Sequence, residues 1–118
     1  MLRISYVELP VKAVGAVRDF YAGAFGWAFT DFGPDYAATT TGDTDIGLNG
    51  STDHVIANIM PIVEVKEDLE GALDRVVAAG GEITMPIFAF PGGRRFHFRD
   101  PAGHELGVCI NEPGEGHQ

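Results

Sequence analysis

Laid over itself at an offset of 54 residues, the chain repeats its own plan: Val11-Lys12 falls on Val65-Lys66, Gly26 on Gly80 and Thr30 on Thr84. Each half reads as a strand, a helix and then several short strands. A unit of that kind cannot cover its own sheet, so two copies are expected to pack side by side. The 118 residues suit this plan, being enough for one domain with a core and too few for two of ordinary size.

The helices are the clearest elements. Between Lys12 and Phe25, the residues Val14, Val17, Tyr21, Ala24 and Phe25 recur at helical spacing, and Gly26 stands where helices commonly end. Between Glu67 and Ala79, Leu69, Ala72, Leu73, Val76 and Val77 follow the same rule, behind an acidic first turn and ahead of Gly80-Gly81. Strands are expected at residues 3–11, 27–32, 36–41, 44–48, 55–65, 82–86, 94–99 and 104–110, separated by Gly, Asp and Pro clusters. Asp100-Pro101-Ala102-Gly103 has the residues of a type I turn. Residues 113–118 are polar and contain glycine, and a loose tail is expected there.

Composition narrows the function classes. Apolar residues make up 45 % and charged residues 21 %, and no apolar run approaches the roughly 18 residues of a membrane span. The first eleven residues lack the features of a secretion signal, so a cytoplasmic protein is expected. The net charge of -9, from 17 acids against 8 bases, repels nucleic-acid phosphates and anionic lipid. Arg94, Arg95 and Arg99 form the one basic cluster and read as a solvated edge rather than a binding stripe. Cys109 is the sole cysteine, which excludes an internal disulfide and a Cys-based zinc pattern; it reads as a small buried residue.

Strand alternation assigns faces. Val7, Leu9 and Val11 oppose Tyr6, Glu8 and Pro10; Ile59, Pro61, Val63 and Val65 oppose Asn58, Met60, Ile62 and Glu64; Leu106, Val108 and Ile110 oppose Glu105, Gly107 and Cys109. The aliphatic face belongs under the helices. The mixed face suits the lining of a ligand site, with a plain solvated face as the competing account. The segment Phe96 to Ile110 gathers two histidines, two acids and a cysteine, the residue types of a metal centre. A tight hairpin over Asp100 to Gly103 would set Arg99 opposite His104 and His97 opposite Leu106. His97 and His104 would then face the aliphatic side, and Phe96 and Phe98 would join Glu105, Gly107 and Cys109 on the lining, so no metal cluster is expected. A one-residue bulge would reverse one strand.

The phrases YVELPV, DFYAGAFGW, VEVKEDLEGALDRVVAAGG and FHFRDPAGHELGV, in this order and spacing, resemble the vicinal oxygen chelate superfamily, the glyoxalase, bleomycin-resistance and dioxygenase group. The resemblance implies an α+β fold of two βαβββ modules forming a curled, funnel-like mixed sheet with helices on its outer face. It implies a single domain over residues 1–112, with module one at about 1–50 and module two at about 55–112, usually paired as a homodimer. Metal-dependent members hold a divalent ion with His, Glu or Gln on four strands. Carried over, three of those positions fall on Tyr6, Met60 and Gly107, and the fourth lies near Ile46 to Asn49. None offers an imidazole or a carboxylate, so neither a metal nor another cofactor is expected, nor classical metal-dependent glyoxalase or dioxygenase chemistry.

The expected ligand-binding residues are therefore Tyr6, Glu8, Met60, Phe96, Phe98, Glu105, Gly107 and Cys109. Acids among aromatic rings favour a small cationic or aromatic molecule. One alternative is a metal-independent lyase or isomerase with Glu8 as general base and Tyr6 or Glu105 as its proton partner. Another is an interaction module using its sheet edges and the run Phe88-Ala89-Phe90, although a loop over the funnel explains that run more economically. Trp27 reads as a core or dimer contact rather than a ligand platform.

Overall fold

The computed structural model describes residues 2–52 and 57–112. The chain forms two compact units, Ser5–Met60 and the segment from Pro61 onward together with the first few residues. The first is built from β1 (Arg3–Pro10) beyond its first two residues, α1 (Val14–Phe25), β2 (Phe29–Asp31), β3 (Tyr36–Thr39) and β4 (Asp45–Asn49). Its strands lie in the order β2-β3-β4-β1, with β1 parallel to β4 and the other pairs antiparallel. The second contains β5 (Met60–Val65), α2 (Leu69–Ala78), β6 (Glu82–Phe90), β7 (Gly93–Arg99) and β8 (Glu105–Asn111). Its order is β6-β7-β8-β5, again with the first strand parallel to the last. The βαβββ plan is thus present twice, in an α+β fold with mixed sheets.

Each helix forms where the apolar stripe requires it. Val14, Val17 and Tyr21 on α1 pack with Leu9, Val11, Phe29, Ala37 and Leu48. Gly26 ends this helix in the left-handed conformation, φ 72°, its N–H donating to Ala22 O at 2.9 Å. The α2 helix starts at Asp68, whose carboxylate accepts the Gly71 N–H at 2.9 Å, and buries Leu69 and Ala72 against Val65, Phe96, Val108 and Ile110. The aliphatic faces read for β1, β5 and β8 are those the helices cover.

Three expectations need correction. Of the strand expected over 55–65, residues 55 and 56 lie outside the described residues, and pairing begins only at Met60. The β6 strand does not stop at Pro86 but continues to Phe90, so Phe88-Ala89-Phe90 is paired strand rather than a loop. It lies at the end of its sheet's strand order, where a proline removes no needed ladder bond, and register shifts flank Met85.

The third correction concerns the β7–β8 register. Arg99 pairs with Glu105, Phe98 with Leu106, His97 with Gly107 and Phe96 with Val108. The turn over Asp100 to Gly103 exists, with Gly103 N–H donating to Asp100 O at 2.9 Å, but His104 joins the loop because Asp100 N–H also donates to His104 O at 2.9 Å. One extra loop residue reverses β7, as a bulge would. Phe96 and Phe98 therefore belong to the core beneath α2, and His97 moves to the mixed face. The basic cluster changes too: Arg95 is buried, while Arg94 pairs with Glu70 and Glu112 and Arg99 with Glu82. The tail expected at 113–118 lies outside the described residues.

Candidate functional site

In the first module, the parallel register sets Glu8 beside Gly47 and Leu9 beside Leu48, and β3 brings Tyr36 opposite Asn49. Leu9 and Leu48 go under the helix, so Tyr6, Glu8, Tyr36, Gly47 and Asn49 share the other face. Glu8 is only 2 % exposed. A buried carboxylate needs donors, and two are built in: Tyr36 Oη donates to Glu8 Oε1 at 2.9 Å and Asn49 Nδ2 donates to Glu8 Oε2 at 3.3 Å. The Tyr6 and Tyr36 hydroxyl oxygens lie 2.5 Å apart. Burial, then the charge of Glu8 and the neighbouring Tyr6, push the Tyr36 phenol far above its ordinary 10.0. It stays protonated.

Gly47 makes this arrangement possible. A Cβ there would overlap the hydroxyls of both Tyr6 and Tyr36. At the end of the same strand pair, Asp45 accepts from Thr39 Oγ1 and Thr41 Oγ1 at 2.7 Å and from Thr41 N–H and Gly42 N–H at 2.8 and 3.0 Å. Burial works to raise this carboxyl, yet the four donors outweigh it and hold Asp45 below its ordinary 3.8.

The mixed face of the second module has a different chemistry. Glu64 pairs in register with Cys109, Arg95 with Cys109 across β8, and His97 with Gly107. The Arg95 guanidinium carbon lies 5.3 Å from the Phe88 ring centre and 5.7 Å from that of Phe90, and His97 meets Phe88 edge-on at 5.6 Å. Burial pushes the Cys109 thiol up to about 11; Glu64 adds to this and Arg95 opposes it. It is a poor nucleophile there. Glu64 accepts from Asn111 Nδ2 at 2.9 Å, and Glu105 from Thr84 Oγ1 at 2.5 Å.

Of the residues expected to bind ligand, the structure brings Tyr6 and Glu8 together and places Glu105, Gly107 and Cys109 on one side of β8. Met60 is buried, 1 % exposed, and Phe96 and Phe98 are removed to the core. The sequence reading missed Tyr36, Gly47 and Asn49, although alternation of Asp45, Gly47 and Asn49 against Ile46 and Leu48 carried the signal for two of them. It missed Arg95 and His97 through the register error.

Two βαβββ modules, each with its helix on the aliphatic side of a mixed sheet and polar groups on the other, define the fold of the vicinal oxygen chelate proteins. Residues 3–108 match the family model of the Glyoxalase/Bleomycin resistance protein/Dioxygenase superfamily, and the chain belongs to that superfamily. It is 29 % identical over 132 residues to the anthracycline biosynthesis protein DnrV of Streptomyces peucetius, a match covering 95 % of this chain and 48 % of the relative. It is 27 % identical over 121 residues to CFP32, a provisional glyoxylase of Mycobacterium tuberculosis, covering 88 % of this chain and 44 % of the relative. The chain thus spans about half the length of these relatives. Among solved structures, a superfamily member from Vibrio splendidus shares the fold with a TM-score of 0.70 at 20 % identity, covering 95 % of this chain and all of that one.

The superfamily includes metal-dependent members, and the donor atoms here do not fit that role. Tyr6 is engaged with Tyr36, Gly107 has no side chain, and Met60 offers a thioether, too soft for a hard cation. Among the described residues, no three His, Cys, Asp or Glu side chains come together as a metal ligand set.

Proposed function

We propose that the protein binds a small cationic, partly aromatic molecule on the Glu8 face of its first module, without a metal ion. The observation that carries this reading is a carboxylate 2 % exposed, its two oxygens fixed by Tyr36 and Asn49 and the phenol of Tyr6 adjoining. Such a group attracts a cation through charge, and the rings offer it their faces. A net charge of -9 adds a long-range attraction of the same sign. Met60, in the same unit, is a further proposed contact, and Glu105, Gly107 and Cys109 are proposed as ligand contacts of the second module's own mixed face. A homodimer in the cytoplasm accompanies this reading, and sedimentation of the purified protein tests the dimer. Among the described residues no helix is long and apolar enough to cross a membrane.

The relative named for anthracycline biosynthesis makes an anthracycline a first compound to test, beside simple aromatic ammonium ions. Calorimetric titration is expected to show binding that Glu8→Gln weakens about tenfold or more, the effect of one lost charge-assisted interaction. No heat and no melting shift across the panel would defeat the reading.

A second reading is favoured by the hydrogen bonds linking Tyr6 through Tyr36 to Glu8, which form a continuous path for a proton. On this reading Glu8 is the general base of a metal-independent lyase or isomerase. Any turnover found must collapse in Glu8→Gln; turnover left intact removes Glu8 from the chemistry.

A further inference from the structure

We propose that the rings of Phe20, Phe25 and Trp27, at the C-terminal end of α1, form the centre of the contact between two copies of this chain. This rests on the homodimer named with the binding reading and gives it a surface. The helix is apolar over most of its length, with Arg18 and Asp19 its only charged residues, yet Val14 alone is buried. A helix of that composition belongs in an interior. Phe20 is 63 %, Phe25 61 % and Trp27 41 % exposed. They are not scattered: between ring centres, Tyr21 lies 5.2 Å from Phe20, 6.2 Å from Phe25 and 5.4 Å from Trp27, and Phe25 lies 5.1 Å from Trp27. A connected apolar surface marks a contact site, whereas single exposed rings do not. The helix also lacks supports of its own. Ala13 offers no capping group at its start, and it has no acid in its first turn and no base in its last, where α2 has Asp68, Glu70 and Arg75. Its stability has to come from packing.

Charge and area indicate the occupant. Residues 20–28 carry no charge, so a second copy meets this surface without setting like charges directly against each other, despite a net -9 on each chain. A lipid surface is a poor fit: helices that lie on membranes are rich in Lys and Arg, and the one base of α1, Arg18, is held by Asp31 at 2.8 Å. Taking about 150–250 Å² for each whole side chain, the exposed parts of the three come to roughly 250–400 Å² a copy. A twofold axis uses the same patch twice, giving about 500–800 Å², the apolar centre of an interface of the standard total of about 1,600 Å².

Trp27 is the sole tryptophan, so its fluorescence reports on this patch alone. The test dilutes the protein from about 100 to about 0.1 μM, following mass by sedimentation and Trp27 emission in parallel. Dimer should give way to monomer with a red shift of the same midpoint, as the ring becomes exposed. Dissociation that leaves the emission unchanged overturns the location; a monomer at every concentration overturns the dimer with it and hands the patch to a partner of another sequence. Phe25→Lys is the matching variant. It puts a cation at a helix C-terminus, where the dipole favours one, and lowers the net negative charge, so neither a lost helix nor added repulsion between copies accounts for its effect. Its dimer Kd should rise at least about thirtyfold, the loss of one central aromatic contact, and Phe20→Lys should act in the same direction. A dimer as tight as the parent's in both variants refutes the proposal. Benzylammonium, a simple aromatic ammonium ion, should bind Phe25→Lys within about twofold of the parent by calorimetry, since the Glu8 face is not touched. Loss of the dimer and loss of the ligand site are thus separate results.

Discussion

Gly47 is the point at which the backbone of β4 comes up against the hydroxyls of Tyr6 and Tyr36. Its lack of a side chain is a steric requirement of the polar cluster rather than a conformational one, since its φ is not in the left-handed range. Adding one methyl group must push the phenols aside, and with them the donor that satisfies the buried Glu8. Gly47→Ala is expected to cost about 1–3 kcal/mol by overpacking, with a further loss from the stranded carboxylate. Urea denaturation measures the cost, and tyrosine absorbance near alkaline pH measures the site: Tyr36 should ionise more readily once it leaves Glu8. A variant as stable as its parent would show that the tyrosines can move at no cost.

At the scale of strands and turns, hairpin loops decide which side chains reach a face. The faces of β1, β5 and β8 were legible because each strand alternates aliphatic with mixed residues, and a helix must cover the aliphatic side. In β7, Arg95, Phe96, His97 and Phe98 alternate as well, but both sets are bulky and either could be buried, so only the loop fixes the choice. That loop takes in His104 through a hydrogen bond from Asp100 N–H, with Gly103 at φ 92°; residue types do not reveal the added residue. The site was half legible for the same reason. Tyr6 and Glu8 follow from alternation in one strand, whereas Tyr36 and Asn49 reach Glu8 only through a register between strands distant in sequence.

The hairpin from β3 to β4 gives this scale its prediction. Asp45 gathers four donors from Thr39, Thr41 and Gly42, and its folded pKa lies below its ordinary 3.8. A lowered folded value means stabilisation that is full above the unfolded pKa and lost as pH falls through the folded one. Asp45→Asn should therefore melt below the parent at about pH 7, and the gap should close as pH is taken below about 4. A gap that stays constant or widens in acid would show that the carboxylate charge is not what holds the loop.

At the scale of the whole chain, charge imbalance sets two responses to salt that run in opposite directions. Arg18 pairs with Asp31 at 2.8 Å, Arg94 with Glu70 at 2.6 Å and Glu112 at 2.8 Å, and Arg99 with Glu82 at 2.9 Å. All are at least partly exposed, each worth about 0–1 kcal/mol at best, and every such pairing leaves the net charge of -9 unchanged. Salt weakens the pairs and also weakens the mutual repulsion of the excess acids; the Debye length falls to about 10 Å at 0.1 M. Repulsion acts among all the excess acids, whereas these bridges are partly exposed and individually weak, so the unliganded protein should melt at higher temperature as sodium chloride rises from about 10 to about 300 mM. Binding of benzylammonium should weaken over the same range, because the field that draws the cation toward Glu8 is the one being screened. A fall in both quantities would show that local ion pairs, not net charge, govern stability. A ligand affinity indifferent to salt would mean that the cation is held by ring contact and hydrogen bonding alone, with the acidic field contributing nothing to its capture.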